Sequence, residues 1–413
     1  MDRKKRQLSI KQNMAWNSIG SLTYLGLQWL ITILVVRMEG GYAAAGSLSL
    51  AMTVYGVFQP LAMYRMYTYQ VSDVKRENTL GEYMSFRVIT SAIAILGCCV
   101  YAFLTCPASS FVAVLLYALF KIAGLLIDVL HGEDQLAMRM DLVGKSLVLQ
   151  GITTFIAFCF LFMLTSSIEW AVFGMFVATC LVGLFYDFPR TRHFSRIKFG
   201  IGFKKILHLS SYCLPIVLAG VACAITPSVP RQVLMVTQGD VSLGLYASVA
   251  APAAIIQMGA SYIYNPLLSL FASKYAASDS AGFIAVYRKA LLAILSIGIV
   301  GIVGYSLVAP WLLVLIFGEG IRSCTYLATP VAIMTSVSAV LWFSNDLLIS
   351  IRAFRPVLVA NACSFIASIA LSFGFVGAFG MNGVSFVVIL SYGIALAISL
   401  VAIAVRCRKM QAR

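Results

Sequence analysis

The chain has 413 residues, of which 61% are hydrophobic, and its 30 Lys and Arg against 15 Asp and Glu give a formal net charge of +15. In a soluble protein this excess would suggest nucleic acid, but here the cations lie between apolar runs of about 20 residues, the length that crosses a bilayer core. The composition therefore excludes a soluble nucleic-acid-binding protein and predicts an all-α polytopic membrane protein.

Twelve apolar runs are long enough to span a membrane. A helix is predicted for each, because only helices and closed barrels satisfy every backbone polar group in lipid, and a barrel would need short alternating strands. The predicted spans are residues 14–37, 42–64, 86–106, 108–130, 146–165, 168–187, 208–229, 243–266, 289–311, 324–345, 357–378 and 383–405.

The Lys and Arg residues occupy alternate loops. All of them lie in the two terminal segments or in loops on the same side, except Arg37, Arg231, Arg322 and Lys121; Arg87 is counted at the edge of the loop between spans 2 and 3. Because cytoplasmic loops carry the excess of Lys and Arg, both termini are predicted to be cytoplasmic. Span 1 is too long for a signal peptide, so an uncleaved anchor is expected.

Residue patterns for chemistry are scarce. The ten cysteines lie almost all inside spans and show neither zinc spacing nor a secreted disulfide framework, so they are predicted to be packing residues. Neither a phosphate-binding loop nor a zinc-protease motif nor a credible catalytic triad is present. We therefore predict no enzymatic activity, no cofactor and no metal site. The loops are also too short to form a soluble domain.

The two halves of the chain share a short pattern. Pro60, Tyr69 and Asp73 are each repeated 206 positions later, at Pro266, Tyr275 and Asp279. Two parallel six-helix repeats, an arrangement known in secondary transporters, would explain this spacing, although chance or similar helix-end chemistry is the alternative. The predicted organisation is an N-terminal lobe at 1–187, a basic cytoplasmic linker at 188–207 and a C-terminal lobe at 208–413, with a central cavity between the lobes.

Span 1 carries a stripe of polar residues at steps of three or four, which places them on one helical face. Such side chains are costly in lipid, so they are expected to face a watery cavity or another helix. The length of the stripe favours a cavity, and hydrogen bonding between helices is the alternative. Its members are Asn13, Asn17, Ser21, Tyr24, Gln28 and Thr32.

Span 4 contains Lys121 and Asp128, which are seven residues apart and so share a face, with His131 one turn further. A charge at the bilayer centre costs about 2.5–3.5 kcal/mol on insertion scales and is usually retained for function. The functional interpretation makes Lys121 a cation that meets an anionic substrate. The alternative is a structural pair of Lys121 with Asp128 or with another helix.

Three arginines lie at predicted span ends. Arg37 and Arg65 would most simply extend to lipid headgroups. Arg231 follows Pro227 and Pro230, and it is predicted to lie in broken helix, where backbone can line a cavity.

At this point the chain resembles the polysaccharide transporter branch of the multidrug/oligosaccharidyl-lipid/polysaccharide exporter superfamily, the Wzx-like flippases of O-antigen and capsule synthesis. The resemblance covers essentially the whole chain, and its pieces are weak singly but fairly specific in this order. They are segments 64–75 and 81–83, Arg87, Lys121, 128–129, Gly132, Gln135, 139–141, 144–146, 186–189, 244–247, 263–266, 317–319 and 380–384.

The resemblance implies a bacterial inner-membrane flippase that moves an undecaprenyl-pyrophosphate-linked oligosaccharide to the outer leaflet by alternating access. Lys121, Arg231 and Arg65 would contact the anionic head group, with Asp128 in the same cavity. The span 1 stripe, including Asn17 and Gln28, would hydrogen-bond sugars. Membrane lipid and the polymerase and chain-length proteins of the glycan pathway are the expected partners.

Four other functions compete with this one. A cation-coupled multidrug exporter of the same superfamily would use membrane-embedded carboxylates, which spans 1, 7 and 8 lack. A flippase of peptidoglycan precursor would usually carry two more spans. A glycan polymerase or acyltransferase would need a large outer loop. A non-transporting scaffold of the glycan assembly complex would not need Lys121 or the polar stripe.

Overall fold

The structure is a computed structural model that describes residues 9–38, 41–64, 66–73, 76–193, 195, 199–264 and 267–411. These ranges form helices joined by short turns and contain no β-strand. A π-helical turn, Gly183–Asp187, and a 3-10 helix, Glu319–Leu327, interrupt the α-helices. The α-helices are α1 Ile10–Arg37, α2 Gly41–Met63, α3 Met66–Ser72, α4 Leu80–Thr105, α5 Ala108–Leu136, α6 Met140–Thr165, α7 Ile168–Val182, α8 Phe188–Thr191, α9 Phe203–Tyr264, α10 Leu268–Ala276, α11 Ser280–Phe317, α12 Ala328–Ser350, α13 Phe354–Phe379 and α14 Met381–Gln411.

The predicted fold class is confirmed. The number of spans depends on how one long helical segment is divided. Eleven helical segments of the described chain are long and apolar enough to cross a membrane, and one of them, Cys213–Ser261, has 49 residues. That segment is two spans joined at Gly239, whose φ of 84° and ψ of 176° are not helical. This region of conformational space is essentially accessible to glycine alone. Divided there, the segments agree with the twelve predicted spans.

Several helices begin earlier than their predicted spans. The apolar run of α4 was expected to begin at residue 86, but the helix begins at Leu80, where Thr79 and Glu82 form a reciprocal capping box. Such a box satisfies two of the backbone N–H groups that a helix start leaves without partners. Arg87 is consequently inside α4 and fully buried, and its predicted place at a loop edge is wrong.

The chain divides into two compact units, Met1–Val217 and Leu218–Arg413. In the first unit, α5 packs on α4 and α7, and α6 packs on α7. In the second unit, α12 packs on α11 and α14, and α13 packs on α14. The second set therefore repeats the packing order of the first, as expected for a parallel repeat.

A short helix occupies the same place in each unit. In the first unit α3 lies between α2 and α4, and in the second unit α10 lies between the second part of α9 and α11. Asp73 follows the first of these short helices, and Asp279 precedes α11 directly as its N-cap. The two aspartates that the sequence pattern paired thus sit at equivalent turns.

Both aspartates act as hydrogen-bond acceptors for their turns. Asp73 accepts from the Glu77 amide at 2.9 Å and from the Tyr83 hydroxyl at 2.7 Å. Burial raises the pKa of Asp73, but the bonds from Glu77 and Tyr83 outweigh it and leave that pKa below its ordinary value. The Lys274 ammonium, 2.8 Å from Asp279, lowers the pKa of Asp279.

The outer surfaces of the long helices are apolar. Phe103 on α4, Leu307 on α11 and Phe373 on α13 are each more than 70% exposed. Contiguous apolar surface of this kind marks a contact with lipid or protein, and here it covers helices of membrane-spanning length.

Inside the first unit, α1 and α6 cross closely at two glycines. A methyl group added to Gly20 would lie only 2.6 Å from the Gly144 Cα, so the crossing leaves no room for a side chain there.

Replacement of Gly239 by Ala should destabilise the protein, since a Cβ at this φ and ψ is strained although no atom lies near it. We expect a loss of about 1–3 kcal/mol of unfolding free energy, seen as a lower Tm of the purified protein in detergent. Gly374→Ala is the matched control, because Gly374 also has open space but lies inside α13 without a positive φ. Equal behaviour of the two variants would contradict the assignment of the break to Gly239.

Candidate functional site

Lys121 lies in the middle of α5 among aromatic rings. Its Nζ is 4.7 Å from the ring centre of Phe120, 5.4 Å from that of Tyr117 and 6.0 Å from that of Tyr24. Tyr55 packs edge-on against Tyr117, with ring centres 6.1 Å apart. Ring faces attract a cation without neutralising it. In the described part of the chain no carboxylate lies within ion-pair distance of Lys121.

Asp128 pairs with Arg87 rather than with Lys121. Arg87 Nη2 is 3.5 Å from Asp128 Oδ2, and the arginine side chain is 0% exposed whereas that of Asp128 is 30% exposed. Arg87 Nη1 also donates to the backbone carbonyls of Ala62 and Met63 at the end of α2. This arginine ties α2, α4 and α5 together. The capping box at the start of α4 is the sequence signal that could have placed it inside a helix.

A second buried network joins α5, α6 and the π-helical turn. His131 Nε2 lies 3.1 Å from Asp187 Oδ1, and the Ser146 hydroxyl donates to Asp187 Oδ2 at 2.9 Å. Gln150 in turn donates to Ser146 at 2.9 Å. The wider π-helical turn ends at Asp187, whose side chain is 1% exposed. Sequence reasoning missed this network, because its members lie on different predicted spans and no local spacing relates them.

Members of the polar stripe of α1 have different surroundings: two bond to α6 and one is exposed. Gln28 donates to the Thr154 hydroxyl of α6 at 3.1 Å, and buried Asn13 accepts from the Met140 amide at 2.9 Å. These two members make the bonds between helices that stood as the alternative. Asn17 is exposed. A substrate contact for the stripe stays a prediction.

Arg231 lines a cavity within the second unit. The cavity has a volume of about 150 Å³, and its wall includes Gln257, Ser338, Trp342 and Tyr392. The prediction that prolines break the helix at Arg231 is wrong, because α9 stays helical through this region until Gly239. A proline inside a helix removes one hydrogen bond and crowds the carbonyl four residues earlier, but membrane helices tolerate this when neighbouring groups satisfy the freed backbone atoms.

Arg65, the remaining predicted site residue, lies outside the described residues. Its neighbour Tyr64 donates its hydroxyl to the Ser210 carbonyl at 3.0 Å. No group of three or more His, Cys, Asp or Glu side chains that could hold a metal ion occurs in the ranges that the structure describes.

No protein-family model matches the chain, and no curated protein matches its sequence. Solved structures do match its fold. An inward-facing MATE family transporter of the MOP superfamily is 12% identical with a TM-score of 0.61, covering 99% of this chain and 97% of that one. A variant of the Vibrio cholerae MATE transporter VcmN is 12% identical with a TM-score of 0.64, over 97% and 96% of the two chains.

A MOP superfamily transporter from Pyrococcus furiosus, described as having a binding pocket of reverse polarity that suggests a different function, is 13% identical. Its TM-score is 0.64, and 100% of this chain and 99% of that chain are covered. The fold is therefore that of MATE and other MOP superfamily transporters, a class of multi-pass membrane transport proteins. These structural neighbours are transporters and not enzymes.

Loss of Arg87 should destabilise the protein strongly. Arg87→Leu removes the donor to the Ala62 and Met63 carbonyls and to Asp128. Removal of one partner of a buried ion pair lowers the free energy of unfolding by about 3–5 kcal/mol. Asp128→Asn should cost less, because Asp128 is partly exposed and Arg87 keeps its carbonyl bonds. Thermal unfolding in detergent measures both.

Arg322→Ala is the control for these two variants, because it removes an exposed pair with Glu319 whose partners are 70% and 73% exposed. Exposed pairs contribute about 0–1 kcal/mol. An Arg87 variant no less stable than the Arg322 variant would refute a structural role for Arg87.

Proposed function

We propose that this protein is a flippase that moves an undecaprenyl-pyrophosphate-linked oligosaccharide across the bacterial plasma membrane by alternating access. The main observation behind the proposal is the surroundings of Lys121. This lysine lies on a helix of membrane-spanning length, aromatic rings lie beside its ammonium group, and no carboxylate of the described residues bonds to it. A cation held in such surroundings favours an anion, because its field is weakly screened at low dielectric. The pyrophosphate of the lipid carrier is an anion of this kind.

The energetic problem of a flippase is the polar head of its substrate. The prenyl tail can remain in lipid while the pyrophosphate and sugars cross, so only the head needs a polar path. A fixed cation lowers the free-energy barrier for moving the pyrophosphate. Placing that cation in the membrane costs about 2.5–3.5 kcal/mol, and this cost is already part of the folding of the protein. Tyr24 and Tyr117 place amphipathic side chains beside it, and Tyr55 packs against the Tyr117 ring.

Four carboxylates of the first unit are already bound by basic groups, which favours an anionic substrate over a cationic drug. Asp128 is bound by Arg87, Asp187 by His131, Glu133 by Arg76 and Asp141 by Arg139. A cation-coupled exporter needs a carboxylate that can exchange its partner for the transported cation. Each of these four carboxylates already has a basic partner, and in no case is that partner Lys121. Asp134 is different, because it is buried and accepts a hydrogen bond from Thr191, and the described residues form no ion pair with it. The transporter from Pyrococcus furiosus, which has the same fold, is described as having a binding pocket of reverse polarity that suggests a different function.

The other predicted site residues have secondary parts in this proposal. Gln28 and Asp128 are already bonded within the first unit. Asn17 is exposed and is assigned a sugar contact. Arg65 and Arg231 are assigned contacts with the anionic part of the substrate. Both termini are proposed to be cytoplasmic, and a polymerase and chain-length proteins to be functional partners.

Lys121→Ala should lower transport strongly while leaving the protein folded. Purified protein is placed in liposomes with a fluorescent short-prenyl pyrophosphate-linked sugar, and a membrane-impermeant quencher reports movement between leaflets. Charge-assisted contacts contribute about 1.5–3 kcal/mol, so we expect a roughly ten- to hundredfold lower rate. Lys121→Arg should retain more of the rate, because the charge remains.

Lys145→Ala is the matched control, since Lys145 also lies over an aromatic ring, that of Trp16 at 5.1 Å, but at the start of α6. Its rate should equal that of the wild type. Wild-type flux in Lys121→Ala would assign Lys121 to structure. Export of a cationic dye under a proton gradient, without movement of the lipid-linked sugar, would replace the flippase with a multidrug exporter.

Cells without the gene should accumulate lipid-linked repeat units on the cytoplasmic side and lose surface polysaccharide. The lipid-linked pool can be measured by mass spectrometry of extracted lipids, and complementation with the wild-type gene is the control. Unchanged surface polysaccharide together with increased drug sensitivity would contradict the flippase function and support the exporter.

A further inference from the structure

The cavity around Arg231 combines three kinds of wall. Arg231 supplies a guanidinium group, Trp342 supplies an aromatic face with 44% of its surface exposed, and Gln257, Thr335 and Ser338 supply hydrogen-bonding groups. All of these residues belong to the second unit. Concave sites with a mostly apolar wall and a few convergent polar groups are typical ligand sites.

One donor of the wall, the amide of Gln257, has no acceptor among the described residues, and its Nε2 atom is buried. An unsatisfied buried donor costs free energy, so a ligand acceptor that reaches it would be favoured. The Arg231 guanidinium is a fork of N–H donors and matches a planar carboxylate, which it can bind through two parallel bonds.

The two hydroxyl groups of the wall, in contrast, can accept hydrogen bonds from a ligand. The Ser338 hydroxyl donates to the Met334 carbonyl at 2.8 Å, and the Thr335 hydroxyl donates to the Val331 carbonyl at 2.8 Å. In this arrangement each hydroxyl proton points along its own helix, and each oxygen can accept a hydrogen bond from a ligand. A ligand that brings donors to this part of the wall can bond to both oxygens without turning either hydroxyl. Ionised pyrophosphate has acceptors only, so it can bond to Arg231 and Gln257 but not to these oxygens as they are arranged.

A sugar with a carboxylate satisfies every part of this wall. Its hydroxyl groups donate to Ser338 and Thr335, its carboxylate accepts from Arg231 and Gln257, and its ring lies against the Trp342 face. The cavity has a volume of about 150 Å³, and the groups of its wall are enough in number to hold one sugar ring.

We infer that the second unit contains a subsite for one acidic sugar residue, a hexuronic acid, held by Arg231, Gln257, Ser338, Thr335 and Trp342. The inference rests on the proposed function for the larger molecule that would carry this sugar, and it moves Arg231 from the pyrophosphate to the glycan. Lys121 in the first unit keeps the pyrophosphate contact.

Binding of free sugars tests the subsite without any transport. Trp342 is made the sole tryptophan by replacing Trp16, Trp29, Trp170 and Trp311 with Phe, and its fluorescence is followed in detergent. The probes are sodium D-glucuronate, D-glucose, sodium acetate and sodium pyrophosphate at equal ionic strength. We expect a saturable change with glucuronate and at least about tenfold weaker binding of the other three.

Variants assign the signal to the cavity. Arg231→Gln should abolish the preference for glucuronate over glucose, and Arg231→Lys should restore part of it, because a lysine keeps the charge but not the fork. Arg322→Gln removes an exposed arginine of the same unit and should leave binding unchanged. If the sole-tryptophan protein does not fold, the rise in Tm of the wild-type protein with each probe gives the same ranking.

The subsite is overturned if glucose or acetate binds as tightly as glucuronate, if pyrophosphate binds more tightly, or if Arg231→Gln keeps the preference. The outcomes are separable from those of the proposed function. Arg231-dependent binding of glucuronate without movement of a lipid-linked sugar would support the subsite and refute the flippase. Movement of the lipid-linked sugar without a preference for glucuronate would do the reverse.

Discussion

Compensation of the charges on α5 is the constraint on which the first unit depends. One membrane-spanning helix carries a lysine, a histidine and several carboxylates, which lipid would not accept without partners. The neighbouring helices supply most of these partners. Arg87 reaches Asp128 from α4, Asp187 reaches His131 from the π-helical turn, and Thr191 of α8 donates to Asp134 at 3.3 Å.

These bonds also order the helices around α5. Removal of any one partner would leave a buried charge or donor unsatisfied, so the bonds are mutually dependent. Lys121 differs from the other charged groups of this helix because its neighbours are rings and not carboxylates. No carboxylate of the described residues pairs with it, and this is the physical basis for proposing that it meets an anionic substrate.

The second unit places its cation in a different chemical setting. Arg231 lines a cavity that also presents an aromatic face, a buried amide donor and hydroxyl groups that donate along their own helix. A transported lipid-linked sugar has two unlike polar parts, a pyrophosphate that only accepts hydrogen bonds and a glycan that both donates and accepts. The settings of Lys121 and Arg231 differ in a similar way, which is why we assign the pyrophosphate to Lys121 and the glycan to Arg231.

Much of the fold was predictable because its cause is local. The hydropathy of about 20 consecutive residues decides whether a segment enters lipid, so the all-helical class and the number of spans follow from the sequence. The predicted gap between spans 7 and 8, residues 230–242, contains Gly239. Gly239 itself was not singled out, because the prolines at 227 and 230 were the more conspicuous signals and glycine is common in membrane helices. The sequence motif at Thr79 and Glu82 would have corrected the start of α4 and thereby the place of Arg87.

The sequence by itself determined the class, a helical membrane protein, and it predicted two similar halves and one lysine in the middle of an apolar span. Only the tertiary structure decided that Asp128 pairs with Arg87 and not with Lys121, that His131 meets Asp187, and that Arg231 shares a cavity with Trp342. The physical reason is that hydropathy and helical spacing depend on neighbours in the chain. The partner of a buried charge lies on another helix, often many residues away, and no local pattern specifies it.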